Sequence, residues 1–123
     1  MKKLAVLLIL FAACAKQSEK PATSTAPPAA SVGDSARGKE LMNTFACSGC
    51  HVIPGIEMGG TLGPSLEGWA NKPAINRKFP NTADNMIQWL QNPQSMDPQT
   101  TMPGVGANPI DARDMTAFLF TLK

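Results

Sequence analysis

The 123 residues read as a small all-α domain, three to five helices folded around one large bound group. Helical stripes behind polar caps recur along the chain, and no stretch shows the apolar-polar alternation of a half-buried strand. Seven Met and eleven Pro, with no Tyr, suit long loops and soft side chains fitted around an irregular ligand rather than a sheet. A domain this short buries a modest share of its surface and gains from a staple that becomes part of its core.

The first element is a secretory signal over residues 1–13. Lys2 and Lys3 form its basic region, Leu4 to Phe11 its apolar run, and Ala12-Ala13 the small residues before cleavage. The apolar run is too short to span a bilayer. Phe11-Ala12-Ala13-Cys14 resembles a bacterial lipobox, with Phe11 where Leu is usual, so Cys14 is expected to become the lipidated first residue of the mature chain. Residues 14–33 then form a tether rich in Pro, Ala, Ser and Thr, without apolar periodicity.

The folded domain is expected over residues 34–123. Asp34 is a good helix cap, and the helix after it places Gly38, Leu41, Met42 and Phe45 on one side. From Val52 to about Asn81, Gly and Pro recur at short intervals, which predicts a loop long enough to wrap something. A second helix follows, capped by Asn81 or Thr82, with Met86, Ile87 and Leu90 as its buried stripe and Asn92-Pro93 as its end. After another loop through Gly106, the last helix opens with Asn108 as cap, Pro109 in the first position and Asp111 near the positive end of the dipole. It buries Met115, Phe118, Leu119 and Leu122.

Between the first helix and the long loop stands Cys47-Ser48-Gly49-Cys50-His51, and a C-x-x-C-H run is the attachment site of a c-type haem. Two thiols three positions apart lie on the same side of one helical turn, so both can add to the vinyl groups of one porphyrin while the next imidazole falls under the iron. A dithiol redox pair would need a βαβ setting that the flanks lack. A structural zinc site would need four Cys or His ligands, and the one remaining Cys is the lipidation candidate Cys14. One covalent haem c is the expected cofactor.

Haem iron takes two axial ligands. His51 is the only His and Tyr is absent, so within one subunit a Met thioether is the natural second ligand. Met86 and Met115 lie on helix stripes and read as core fillers, and Met58 is too near the attachment run to reach the far face. Met96 and Met102 remain; Met102, stiffened by Pro103, is favoured over Met96 at the helix end. With both positions filled, the iron is low-spin and reorganises little on electron exchange. Were the Met displaceable, the same centre would serve instead as a haem sensor or gas-binding site.

These residues together resemble the class I cytochrome c family, over nearly all of Asp34 to Lys123. The resemblance is carried by Gly38, the Cys47 to His51 run, Gly63-Pro64-Ser65-Leu66, Trp89, Thr101-Met102-Pro103 and Ala117-Phe118-Leu119. From Phe79 to Met102-Pro103 the chain is particularly similar to the cytochrome c domain of haem-copper oxidase subunit II. The resemblance implies that Gly38 lets the first and last helices cross closely against Phe118, with Met42 where the family usually has an aromatic. It also implies that the Pro64 carbonyl accepts the His51 Nδ1 hydrogen, and that Trp89 packs on the haem and donates to a propionate. Trp69, Arg77 and Lys78 are further candidates near the propionates.

Charge narrows the partners. Loss of Lys2 and Lys3 on cleavage leaves basic and acidic residues equal in number, and two propionates tip the balance negative, which argues against nucleic acid as a partner. The expectation is an exported, lipid-anchored electron carrier rather than an enzyme. Its partners would be redox proteins: a terminal oxidase, a reductase, a quinol-oxidising complex or a dehydrogenase.

Overall fold

The computed structural model describes residues 33–123. The expected signal segment, the lipidation candidate Cys14 and the tether up to residue 32 lie outside the described residues.

Helix α1 (Ser35–Thr44) starts where a carboxylate can satisfy its orphan amides: Asp34 accepts from the N–H groups of Ala36 at 2.9 Å and Arg37 at 3.1 Å. A 3₁₀ turn, Cys47–Gly49, follows at once, entered through Ala46 in the left-handed conformation with φ 53°. The chain then runs without regular structure to a second 3₁₀ turn, Trp69–Asn71. Helix α2 (Ala83–Gln91) is capped by the Thr82 hydroxyl, which accepts from Asn85 N–H at 3.3 Å. Helix α4 (Pro109–Leu119) is capped by Asn108, whose Oδ1 accepts from Ile110 and Asp111, with Pro109 in the first turn.

Two elements depart from the sequence reading. The expected loop from Val52 to Asn81 contains a minimal antiparallel hairpin, β1 (Ala74–Ile75) with β2 (Phe79–Pro80), pairing Ala74 with Pro80 and Ile75 with Phe79. Its turn places Asn76 at φ 47° and Arg77 at φ 59°. Glycine usually marks such positions, so a turn built on Asn-Arg carries no hairpin signal. The second departure is α3 (Pro93–Met96), inside what reads as loop after α2. Asn92 ends α2 and also caps the new turn, its Oδ1 accepting from Ser95 N–H at 3.1 Å.

Helices α1 and α4 form the most extensive helix pairing, and α2 packs on α4 from the other side. Gly38 sits at the first crossing. A Cβ there would come within 2.6 Å of the Asp114 carbonyl carbon and 3.0 Å of Phe118 Cβ, so hydrogen is the only side chain that this approach admits. The core runs from the crossing through Met42, Met115 and Leu119 to Met86, Leu90, Ile53 and Ile75. Among the described residues, no helix is long and apolar enough to cross a membrane.

Charge clamps hold the layers. Arg37 donates to both Asp111 and Asp114, and Asp34 N–H donates to Asp114 Oδ1 at 2.8 Å. Burial would raise the Asp114 carboxyl, but the Asp34 amide and Arg37 outweigh it and hold it below the usual carboxylate range. On the opposite side Asp97 Oδ2 accepts from Lys78 Nζ and Asn76 Nδ2, each at 2.7 Å, joining the hairpin turn to the segment after α3. Lys78 is the main reason Asp97 also lies low, with burial opposing and Gln99 N–H assisting. A carboxyl whose folded-state value is lowered stabilises the fold above its unfolded value and loses that contribution as pH falls. Thermal unfolding should therefore be flat with pH down to about pH 5 and fall below about pH 4, the ordinary carboxylate range. Asp97→Asn should flatten part of that decline; an equally steep decline in the variant would remove Asp97 from the account.

Candidate functional site

The 3₁₀ turn that follows α1 puts both thiols of the C-x-x-C-H run on one wall. Cys47 and Cys50 are half-buried free thiols, and both line a cavity of about 380 Å³ bounded as well by His51, Leu66, Trp69, Ile75, Met86, Trp89, Leu90 and Met102. The local fold comes from the backbone: Cys50 and His51 N–H groups both donate to the Cys47 carbonyl, so the run closes into one tight turn. Burial pushes the Cys47 thiol up, favouring its neutral form.

His51 is set by the loop after it. Its Nδ1 lies 2.7 Å from the Pro64 carbonyl oxygen, which can only accept, so Nδ1 carries the hydrogen and Nε2 keeps its lone pair for a metal. Gly63 makes room for the ring: a Cβ there would lie 2.6 Å from Nδ1 and 2.9 Å from Nε2. Gly60 plays the same part on the turn itself, where a Cβ would come within 2.7 Å of Cys50 Cα.

The methionines occupy different places in the fold. Met115 is fully buried between helices, Met58 is 78 % exposed, and Met86 is buried on the α2 stripe at the cavity wall. Met102 lines the cavity from a loop, whereas Met96 packs against the core and is not part of the wall. Three hydrogen bonds fix Met102: its Sδ accepts from Trp89 Nε1 at 3.0 Å, its carbonyl from Gln94 Nε2 at 2.6 Å, and its N–H donates to Thr100 Oγ1 at 3.3 Å.

Trp89 lines the cavity, and its indole N–H donates to the Met102 sulfur in the loop after α3. The second indole is in the opposite condition. Trp69 is buried, lines the same cavity, and its Nε1 has no hydrogen-bond partner among the described residues. Sequence spacing locates neither contact, because both depend on how loops far apart in the chain meet.

The donor set fits a haem. Two thiols within one turn, an imidazole with its metal-facing nitrogen free, a thioether held by three bonds and an apolar wall share one cavity. A zinc centre fits poorly, since no three of His, Cys, Asp and Glu are grouped to hold a metal ion among the described residues. An all-α domain with this cavity is of the covalent-haem class. The family model described as cytochrome c matches residues 35–123, and the chain belongs to the cytochrome c family. It is also 26% identical over 88 residues to cytochrome c oxidase subunit 2 of Alkalihalophilus pseudofirmus, an alignment covering 71% of this chain and 25% of that protein. The chain thus matches about a quarter of that relative's length. Membership of the family implies covalently bound haem c and electron transfer through it.

Proposed function

We propose that this chain is a mono-haem carrier of single electrons, ligated by His51 and Met102, tethered to a membrane through Cys14 and working between respiratory-chain partners. The observation that carries the ligand assignment is the loop holding Met102 in the wall that also contains Cys47, Cys50 and His51. Haem c supplies one iron that alternates between two oxidation states. The chain's residues do the rest. Cys47 and Cys50 hold the porphyrin, Pro64 and Gly63 orient His51, and Leu66, Ile75, Met86 and Leu90 keep water from the site. Thioether ligation in an apolar pocket favours the reduced state.

The bonds from Trp89, Gln94 and Thr100 favour a fixed Met102, as a carrier needs, over one displaced by a gas. The segment after His51 exposes Val52, Met58 and Leu62, the last at 86 %, beside the attachment run. A small apolar surface of this kind suits brief docking of a redox partner. The relative that is a cytochrome c oxidase subunit supports a terminal oxidase among the partner classes; a reductase, a quinol-oxidising complex or a dehydrogenase has the same requirements.

Met102→Ala should keep its covalent haem, lose the methionine-to-iron charge-transfer band of the ferric spectrum, and bind carbon monoxide rapidly when reduced. Met96→Ala should do none of these. If Met96→Ala loses the band and Met102→Ala keeps it, the sixth ligand is Met96. The tether is tested separately: Cys14→Ser should move the haem protein from the membrane to the soluble fraction with an unchanged spectrum, and retention in the membrane would point to another anchor.

A further inference from the structure

Asp97 lies where segments far apart in the chain meet. It is 6% exposed, and its Oδ2 accepts from Asn76 Nδ2 and Lys78 Nζ, each at 2.7 Å, while Oδ1 accepts from Gln99 N–H at 3.2 Å. Its own N–H donates to Pro93 O at 2.9 Å, and its carbonyl accepts from Thr100 N–H at 3.0 Å. Thr100 Oγ1 in turn accepts from Met102 N–H at 3.3 Å. One residue thus joins α3, the hairpin turn and the loop that carries Met102.

Both joined segments are walls of the cavity: Ile75 and Asn76 on the hairpin side, Thr100, Thr101 and Met102 on the loop side. Asn76, Thr100 and Thr101 also line a second hollow of about 530 Å³, outside the first, together with Lys78 and Asp97. The wall is thin here. Among the described residues, every hydrogen bond between the hairpin and residues 97–103 ends on Asp97. The turn also needs an outside hold, because Asn76 and Arg77 are successive non-glycine residues in the left-handed region, at φ 47° and 59°, which L side chains adopt at a cost. Asn76 and Lys78, on either side of Arg77, both donate to Asp97. Without that carboxylate the turn is free to relax, and the wall beside Met102 moves with it.

We propose that Asp97 is a positioning residue for the sixth ligand: by clamping the hairpin turn to the Met102 loop, it slows release of the thioether from the iron. This rests on the assignment of Met102 made above. Trp89 and Gln94 hold Met102 itself from α2 and α3. Asp97 holds the loop to the opposite rim.

Imidazole added to the ferric holoprotein reads that release. The thioether must leave before an imidazole nitrogen takes its place, with no change of oxidation state, so at saturating imidazole the observed rate is the rate of methionine release. Asp97→Asn keeps the shape and removes the charge; Lys78→Met keeps the length and removes one donor. Both should retain the charge-transfer band before imidazole is added. The saturating rate should rise about tenfold in Asp97→Asn, as expected for weakening a hydrogen bond to a charged group, and by less in Lys78→Met. Asp111→Asn, which removes a carboxylate from the Arg37 clamp outside the cavity wall, should lower the denaturant midpoint and leave the rate unchanged.

An unchanged rate in Asp97→Asn overturns the proposal, and so does an equal rise in Asp111→Asn, which would mean a general loosening of the fold. Should Asp97→Asn not fold, Lys78→Met carries the test, since the Lys78 side chain is half exposed; an unchanged rate there overturns the proposal in the same way. Haem content by the pyridine haemochrome spectrum, with the band in Met102→Ala and Met96→Ala, separates the two levels. A sample without haem, or a band lost in Met96→Ala alone, refutes the reading of the site itself. Haem held through Met102 with an unchanged rate refutes only the role of Asp97.

Discussion

A chain carrying Cys47→Ala and Cys50→Ala together is expected to come through acid-acetone extraction colourless and to lose most of its helical circular dichroism. The first part follows from chemistry, since no thiol remains beside the cavity to form a thioether. The second follows from packing. The cavity of about 380 Å³ lies under Leu66, Ile75, Met86, Leu90 and Leu119, so without the porphyrin the centre of the core has no filling. An open space of that size leaves its apolar walls to water, a cost that weighs heavily against the marginal stability of a domain this small. Partial collapse of the loops would recover some of that. Colour retained after extraction would mean that the porphyrin is bonded elsewhere; a fully helical colourless protein would mean that the helices need no filling.

Substitution at Gly38 should be the most damaging single change away from the cavity. Alanine is ordinarily the better helix former by up to about 1 kcal/mol. Here its methyl would meet the backbone of Asp114, 2.6 Å from the carbonyl carbon, and that backbone belongs to a helix capped by Asn108 and clamped by Arg37. A clash with rigid backbone forces the helices apart and costs more than the one to three typical of overpacking against side chains, about 3 kcal/mol net. Gly38→Leu should not fold. Gly104→Ala is the control, since its nearest neighbour would be Gln94 Oε1 at 3.6 Å. Denaturant midpoints measured on the three proteins decide it; equal midpoints for Gly38→Ala and Gly104→Ala would remove the crossing from its place in the fold.

Much of this architecture is legible before any coordinates. The three longer helices each have a polar residue where amides need an acceptor and an apolar stripe behind it, so Asp34, Thr82 and Asn108 mark their starts locally. The attachment run is legible because its spacing is itself the chemistry. The hairpin at Ala74–Pro80 is hidden because its two left-handed residues are Asn76 and Arg77, which look like any solvated loop. The turn α3 is hidden because Asn92-Pro93 normally reads as an ending, and here it is also a beginning. Met102 is favoured by the adjacent proline, yet its partners Trp89, Gln94 and Thr100 appear only once α2 and the loop are brought together. The clamp of Asp97 with Lys78 and Asn76, and the bond from Trp89 to Met102, are tertiary facts with no local pattern.

Because α1 and α4 close on each other, and Gly33 already lies against Arg113 and Asp114, the chain enters this domain beside the helix with which it ends. Neither Gly33 nor Lys123 is among the residues that line the cavity. A module entered in this way can be hung from a leash or joined to a larger host through Gly33, a residue outside the cavity wall.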